Sequence, residues 1–226
     1  TSDDGGSLLF FRVRDQGNIV VSLGPLSLKT EPFTLTTRYQ GRHDPAPVDQ
    51  EILQVGAVTD VTYGEEGFVD RPPLVYSNRT AWYPRPTSED HATARVGIET
   101  PAGWLGVTGG ELLSIRTEEG RTRSEFRLEQ PGKFVTAIVG RLTDVGLRQE
   151  GVQAVRGFAG PRTRGETLDQ MRVAQEVLTF YAERFGPPAF PSLGLVVAEG
   201  PTPGGHSPPG LLYLQVRPPV LRGRSL

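Results

Sequence analysis

Phe134-Val135-Thr136-Ala137-Ile138-Val139-Gly140 is the most strand-like run in the chain. It mixes β-branched residues with an aromatic, and it is too short for a helix. The same signature recurs towards the N-terminus. Residues 121–128 and 111–117 are two further runs, separated by Glu118-Glu119-Gly120, which reads as a hairpin turn. Residues 95–100 run into the turn Pro101-Ala102-Gly103, and Trp104-Leu105-Gly106-Val107 follows. Residues 33–39 place Phe33, Leu35, Thr37 and Tyr39 on one face, the period of a half-buried strand. Residues 8–13 and 18–23 are short apolar runs, punctuated by Gly17 and Gly24-Pro25. Turn signals at this spacing predict an antiparallel sandwich or curved sheet over residues 1–150.

The character changes downstream of the opening run. Residues 151–158 read as one more strand, and the only convincing helix comes next. Thr163 with Glu166 fits a capping box at its start. Leu168, Met171, Ala174, Leu178, Tyr181 and Phe185 form one apolar stripe, and Gly186-Pro187-Pro188 stops the helix. A buried-looking strand at 193–198, a Gly- and Pro-rich loop at 199–210 and a last strand at 211–216 complete the pattern. A strand, a helix and two strands with nothing packed afterwards leave a sheet edge bare. Residues 151–226 are therefore expected to be an incomplete α+β unit with one main helix. The fold class is mainly β.

Composition removes several functions. The 226 residues carry a formal net charge of −2, so nothing global attracts nucleic acid. Of the 24 basic residues only Lys29 and Lys133 are lysine. Cysteine is absent, which rules out disulfides and thiolate metal sites. No apolar stretch reaches the roughly 18 residues that span a bilayer. The compartment stays open, and anchoring or export through segments outside this stretch is compatible with the residues.

Few residues suggest chemistry. A hydrolytic zinc site needs three protein ligands, typically with His-Glu-x-x-His on a helix. The three histidines, His43, His91 and His206, never stand four apart. No metal ligand and no catalytic residue is assigned. Gly-x-Ser-x-Gly is missing, and Gly109-Gly110 lacks the Lys of a phosphate loop. Glu65-Glu66 and Glu118-Glu119 are read as solvated turn pairs. Asn78-Arg79-Thr80 matches a glycosylation sequon by pattern. Trp82-Tyr83 reads as a loop anchored by burying aromatics, with a ligand-stacking surface as the alternative. The loop Pro203-Gly204-Gly205-His206-Ser207-Pro208-Pro209-Gly210 is the most informative. Paired glycines allow close backbone approach, so such a loop can present N–H and C=O groups to an extended peptide.

The order of these features resembles the aminopeptidase N-like gluzincins, a family of zinc metallopeptidases. The resemblance rests on residues 33–41, Trp82-Tyr83-Pro84, Thr100-Pro101-Ala102-Gly103-Trp104, Gln130-Pro131 before the opening run, and Tyr181 to Gly186, and on their sequence along the chain. It implies a saddle-shaped antiparallel β-sandwich domain over residues 1–150. It also implies the beginning of a thermolysin-like catalytic domain over 151–226, cut off before the zinc-binding helix. Gly204, Gly205, His206, Ser207 and Pro208 then stand where the family's substrate loop binds peptide backbone. That loop usually carries a Glu for the free amino terminus, and none is present here. The resemblance implies no cofactor in this chain and zinc in a full-length parent, with a peptide substrate and the remainder of the catalytic domain as partners. The chain alone is expected to be an inactive N-terminal fragment that supplies cleft wall. The alternative is a stand-alone β-sandwich binding or scaffold module without peptidase activity.

Overall fold

The computed structural model describes residues 6–13, 18–28, 31–41, 73–77, 80, 82–85, 90–200 and 204–216. His43, the turn after Gly41, Glu65-Glu66, Asn78-Arg79 and the tail 217–226 lie outside the described residues. The chain forms two compact units, Thr1–His43 and Asp44–Leu226.

In the first unit, β1 (Phe10–Arg12) pairs antiparallel with β2 (Ile19–Val21), as the two apolar runs suggest. A 3₁₀ turn at Gly24–Leu28 buries Leu26. The strand expected at 33–39 is not formed. Leu35 makes a single bridge and its neighbours are irregular. Period-two patterning marks a face that could be buried, but a strand also needs a ladder partner, and alternation does not supply one.

The second unit begins with two small antiparallel sheets. One has the order β4-β7-β6, from Ala92–Pro101, Arg121–Gly132 and Glu111–Glu118. The other has the order β3-β8-β5, from Leu74–Tyr76, Ala137–Gly140 and Leu105–Thr108. Only the second half of the 134–140 run is strand. Val135 N–H instead donates to the Tyr83 hydroxyl at 2.9 Å. The β6–β7 hairpin turns through Glu119 at φ 50° and Gly120 at φ 75°. Two successive positive φ values match the twist of the flanking strands. The two sheets lie close together. A Cβ at Gly106 would fall 2.7 Å from Ile98 Cβ, and Ser124 Oγ donates to the Gly106 carbonyl at 2.6 Å. This is the antiparallel sandwich.

A five-stranded mixed sheet follows, in the order β12-β13-β11-β10-β9. Its strands are β9 (Thr143–Arg148), β10 (Ala154–Ala159), β11 (Ser192–Glu199), β12 (Gly204–His206) and β13 (Leu211–Val216). Helix α1 (Arg164–Phe185) crosses between the parallel pair β10 and β11. Alternation along these strands builds three layers. Val155, Leu195 and Val197 face the helix with Met171. Phe158, Val196, Ala198, Leu211 and Tyr213 face the sandwich with Val75, Val107, Phe126 and Ile138. Gly157 lets the helix in, since a Cβ there would come 2.5 Å from Val145 Cγ2 and 3.0 Å from Thr167 Cγ2. Among the described residues the architecture is mainly β, a sandwich followed by an α+β layer with one helix. Among the described residues no helix is long and apolar enough to cross a membrane.

Two expectations about the helix are corrected. Thr163 is the N-cap residue, but its hydroxyl makes no capping bond. Thr163 Oγ1 donates to the Val197 carbonyl at 2.6 Å, because the buried strand offers a nearer acceptor. The inward face is Thr167, Met171, Ala174, Gln175 and Leu178 rather than the whole stripe. Leu168, Tyr181 and Phe185 are exposed. The buried polar Gln175 earns its place through hydrogen bonds. It accepts from Glu150 N–H at 2.9 Å and donates to the Gln153 carbonyl at 2.6 Å.

Candidate functional site

The loop singled out in the sequence is a hairpin at the end of the mixed sheet. β12 pairs antiparallel with β13, with Gly204 opposite Gln215, Gly205 opposite Leu214 and His206 opposite Tyr213. Among the described residues β12 ends the strand order, and no described strand pairs with its second backbone edge. Gly204 and Gly205 put no side chain beside that edge, and Gly205 is exposed. His206 shares a face with Tyr213, the face turned to the sandwich. Ser207 is exposed and Pro208 is buried.

The root of the hairpin is a tight turn. Leu211 N–H donates to the Pro208 carbonyl at 3.1 Å, with Pro209 and Gly210 between them and Gly210 at φ 68°. Pro at the first central position and a left-handed Gly at the second are the requirements of a type II turn. The Gly210 carbonyl accepts from Gly194 N–H at 3.0 Å, which ties the turn to β11. Pro208 therefore holds the turn, Gly204, Gly205 and His206 form β12, and Ser207 links the two.

Sequence reasoning missed one part of this arrangement. The Gly109-Gly110 turn between β5 and β6 packs against Pro209-Gly210. A Cβ on Gly109 would overlap the Pro209 carbonyl oxygen and lie 3.3 Å from Gly210 C. A Cβ on Gly210 would meet Gly110 N at 3.2 Å. The glycine pair after an apolar strand was the available signal, but its partner lies about a hundred positions away in the sequence.

The aromatic segment is a cluster. Trp82 meets Tyr83 edge-on with ring centroids 4.7 Å apart, and Tyr76 meets Trp82 at 6.2 Å. The rings are half-buried, and the Tyr83 hydroxyl holds Val135. That is the anchored loop expected from the residues.

Among the described residues nothing gathers to fit a zinc ion. His91 is exposed just before β4, and His206 is in β12. Among the described residues no three His, Cys, Asp or Glu side chains come together as a metal site. What the β12 edge can do chemically is offer backbone donors and acceptors to an extended chain.

No protein-family model matches the sequence, and no curated protein matches it either. Among solved structures, it is similar over part of its length to M1 zinc metallopeptidases. One from Deinococcus radiodurans is 22% identical with a TM-score of 0.45, covering 56% of this chain and 31% of that one. A two-domain M1 zinc metallopeptidase variant bound to L-arginine is 20% identical with a TM-score of 0.42, again over 56% and 31%. Another such variant, bound to L-tryptophan, is 22% identical with a TM-score of 0.44, over 57% of this chain and 31% of that one. The matched region thus spans about a third of the length of those chains.

Proposed function

We propose that this chain supplies a wall of the substrate cleft in an aminopeptidase N-like zinc metallopeptidase, and that β12 aligns the substrate. Gly204, Gly205, His206 and Ser207 would bind an extended peptide by adding it as a further strand, with Pro208 fixing the turn. The zinc and the general base would come from residues outside this chain. Residues 1–150 would act as the β-domain and 151–226 as the opening of the catalytic domain.

One observation carries the reading. Among the described residues, the glycine-rich segment picked out by its place in the family order is the end strand of the mixed sheet, with one backbone edge that no described strand pairs. Strand addition needs such an edge, and paired glycines let another backbone approach it. The order of phrases from 33 to 216 supplies the family assignment. Without a Glu in the 204–208 loop, recognition of a free amino terminus has no residue here to perform it. The reading therefore extends to peptide backbone only.

Titration of the isotope-labelled chain with tetra-alanine tests this. Amide shifts centred on 204–207 are expected. Shifts centred on Trp82 and Tyr83 would support a stand-alone binding module instead, and no shift at millimolar peptide would end the proposal. The chain with added zinc is expected to leave peptides intact, and clear turnover would contradict the placing of the ligands elsewhere.

A further inference from the structure

Four glycines meet where the sandwich touches the root of the β12–β13 hairpin. Gly109 is buried, and any Cβ on it would strike the Pro209 carbonyl oxygen. Gly110 has φ 95°, and a Cβ there would come 2.9 Å from Arg127 C. Gly210 lies against Gly110 N, and Gly194 donates to the Gly210 carbonyl. A Cβ on Gly194 would come 2.9 Å from Leu211 Cδ1. Between the two turns, where Gly109 meets Pro209 and Gly210 meets Gly110, backbone therefore touches backbone, and a displacement of one turn presses directly on the other.

The φ of Gly109 lies outside the left-handed region, unlike that of Gly110. Its glycine is required by space alone and not by backbone angle. Pro209 is equally stiff, since its ring fixes φ. The contact thus joins two rigid turns, one of the sandwich and one of the peptide-presenting hairpin.

We propose that Gly109 is a positioning residue: the Gly109-Gly110 turn seats Pro209-Gly210 and thereby sets where the second edge of β12 stands. The sandwich then controls the peptide-aligning strand without touching the peptide. The inference rests on the strand-addition reading for its functional meaning, but the seat itself can be tested without any peptide.

The variants are Gly109→Ala and, as control, Gly120→Ala. Gly120 sits at φ 75° with nothing within 4 Å of its Cβ position, so alanine there strains a turn without pressing on a neighbour. Backbone amide exchange is followed over 204–216 in the full chain. Gly109→Ala is expected to speed exchange in that segment about tenfold while β6 and β7 keep their protection, as local opening of one unit requires. Gly120→Ala is expected to leave 204–216 unchanged. Exchange at 204–216 that is unaltered by Gly109→Ala, or altered equally by both variants, would overturn the proposal.

A measurement on the unmodified chain covers the case in which Gly109→Ala does not fold. In mild denaturant, the amides of 108–110 and 205–214 are expected to open with one common free energy, as a single cooperative unit. Separate opening of the two segments would overturn the seat. Tetra-alanine then separates the two ideas. Loosening of β12 by Gly109→Ala with no peptide shift in the unmodified chain keeps the seat and removes the strand-addition reading. Peptide shifts that survive Gly109→Ala at full strength keep that reading and remove the seat.

Discussion

Thr163 Oγ1 reaches past its own helix and donates to the carbonyl of Val197, 2.6 Å away in the middle of the mixed sheet. The same carbonyl accepts from Gly160 N–H at 2.9 Å. The turn before α1 is thereby stitched to β11 at a point that is 3% exposed. Thr163→Val is expected to cost about 1 kcal/mol, the worth of one bond rather than of an orphaned acceptor, because Gly160 still serves the carbonyl. Thr163→Ser should restore most of that loss, since it returns the donor. Urea unfolding of the two variants measures the difference, and a neutral Thr163→Val would show that the stitch contributes nothing.

The helix presents a second contrast. Met171 is 3% exposed and packs beside Val155 and Leu195, whereas Phe185 is 79% exposed although it belongs to the same sequence stripe. Met171→Ala should destabilise by about 2–5 kcal/mol, combining lost transfer energy with a cavity. Phe185→Ala should stay within about 0.5 kcal/mol. Reversed magnitudes in thermal or urea unfolding would mean that the helix is rotated about its axis.

Gly106 and Ile98 occupy one volume between the two halves of the sandwich. Gly106→Ala pushes a methyl into the Ile98 side chain and is expected to cost about 1–3 kcal/mol. Adding Ile98→Ala should return part of that cost, so the double variant falls short of the sum of the singles. Strict additivity would place the two side chains out of contact.

Glu125 sits between two arginines on the open face of β4-β7-β6. Hydrogen bonds from Arg95 and then Arg123, both at 3.1 Å, hold its carboxyl below the ordinary carboxylate range. A depressed native pKa means that the unfolded chain binds more protons than the native one in that interval. The pair's stability contribution is therefore complete above the unfolded pKa and is lost as pH falls through the native value. NMR titration should show Glu125 as a late-protonating carboxyl, and molar salt should move it towards normal because the group is exposed. A Glu125 that titrates normally at low salt would remove the arginine contacts from solution.

Much of this architecture is written in local chemistry, and the failures are instructive. Glu118-Glu119-Gly120 identifies the hairpin because two left-handed positions call for glycine or a tolerant polar residue, and that demand is local. β9 escapes notice because Gly146 interrupts it at φ 105°, with its N–H held by Asp144 Oδ1 at 2.9 Å. β3 is only three residues long, too short for alternation to show. At 33–39 the reverse occurs, a strand pattern with no ladder. The candidate site divides in the same way. Gly204 and Gly205 stand out from composition, but the fit of Gly109 under Pro209 is a contact between remote segments. No window of sequence contains it.

The antiparallel pairing of the sandwich and the parallel pairing of the mixed sheet have a kinetic corollary. β6 and β7 close across two residues, so their register can form within the microseconds of an isolated hairpin. β10 and β11 pair in parallel, Gly157 with Leu195, and cannot zip from a turn. They must wait until the intervening helix has lain down, at the entropic cost of a long loop. β13 joins β11, and β12 can complete the edge only when β13 is in place. On refolding, the outer strand β12 should therefore be the last of these elements to mature, well after the sandwich hairpin has closed.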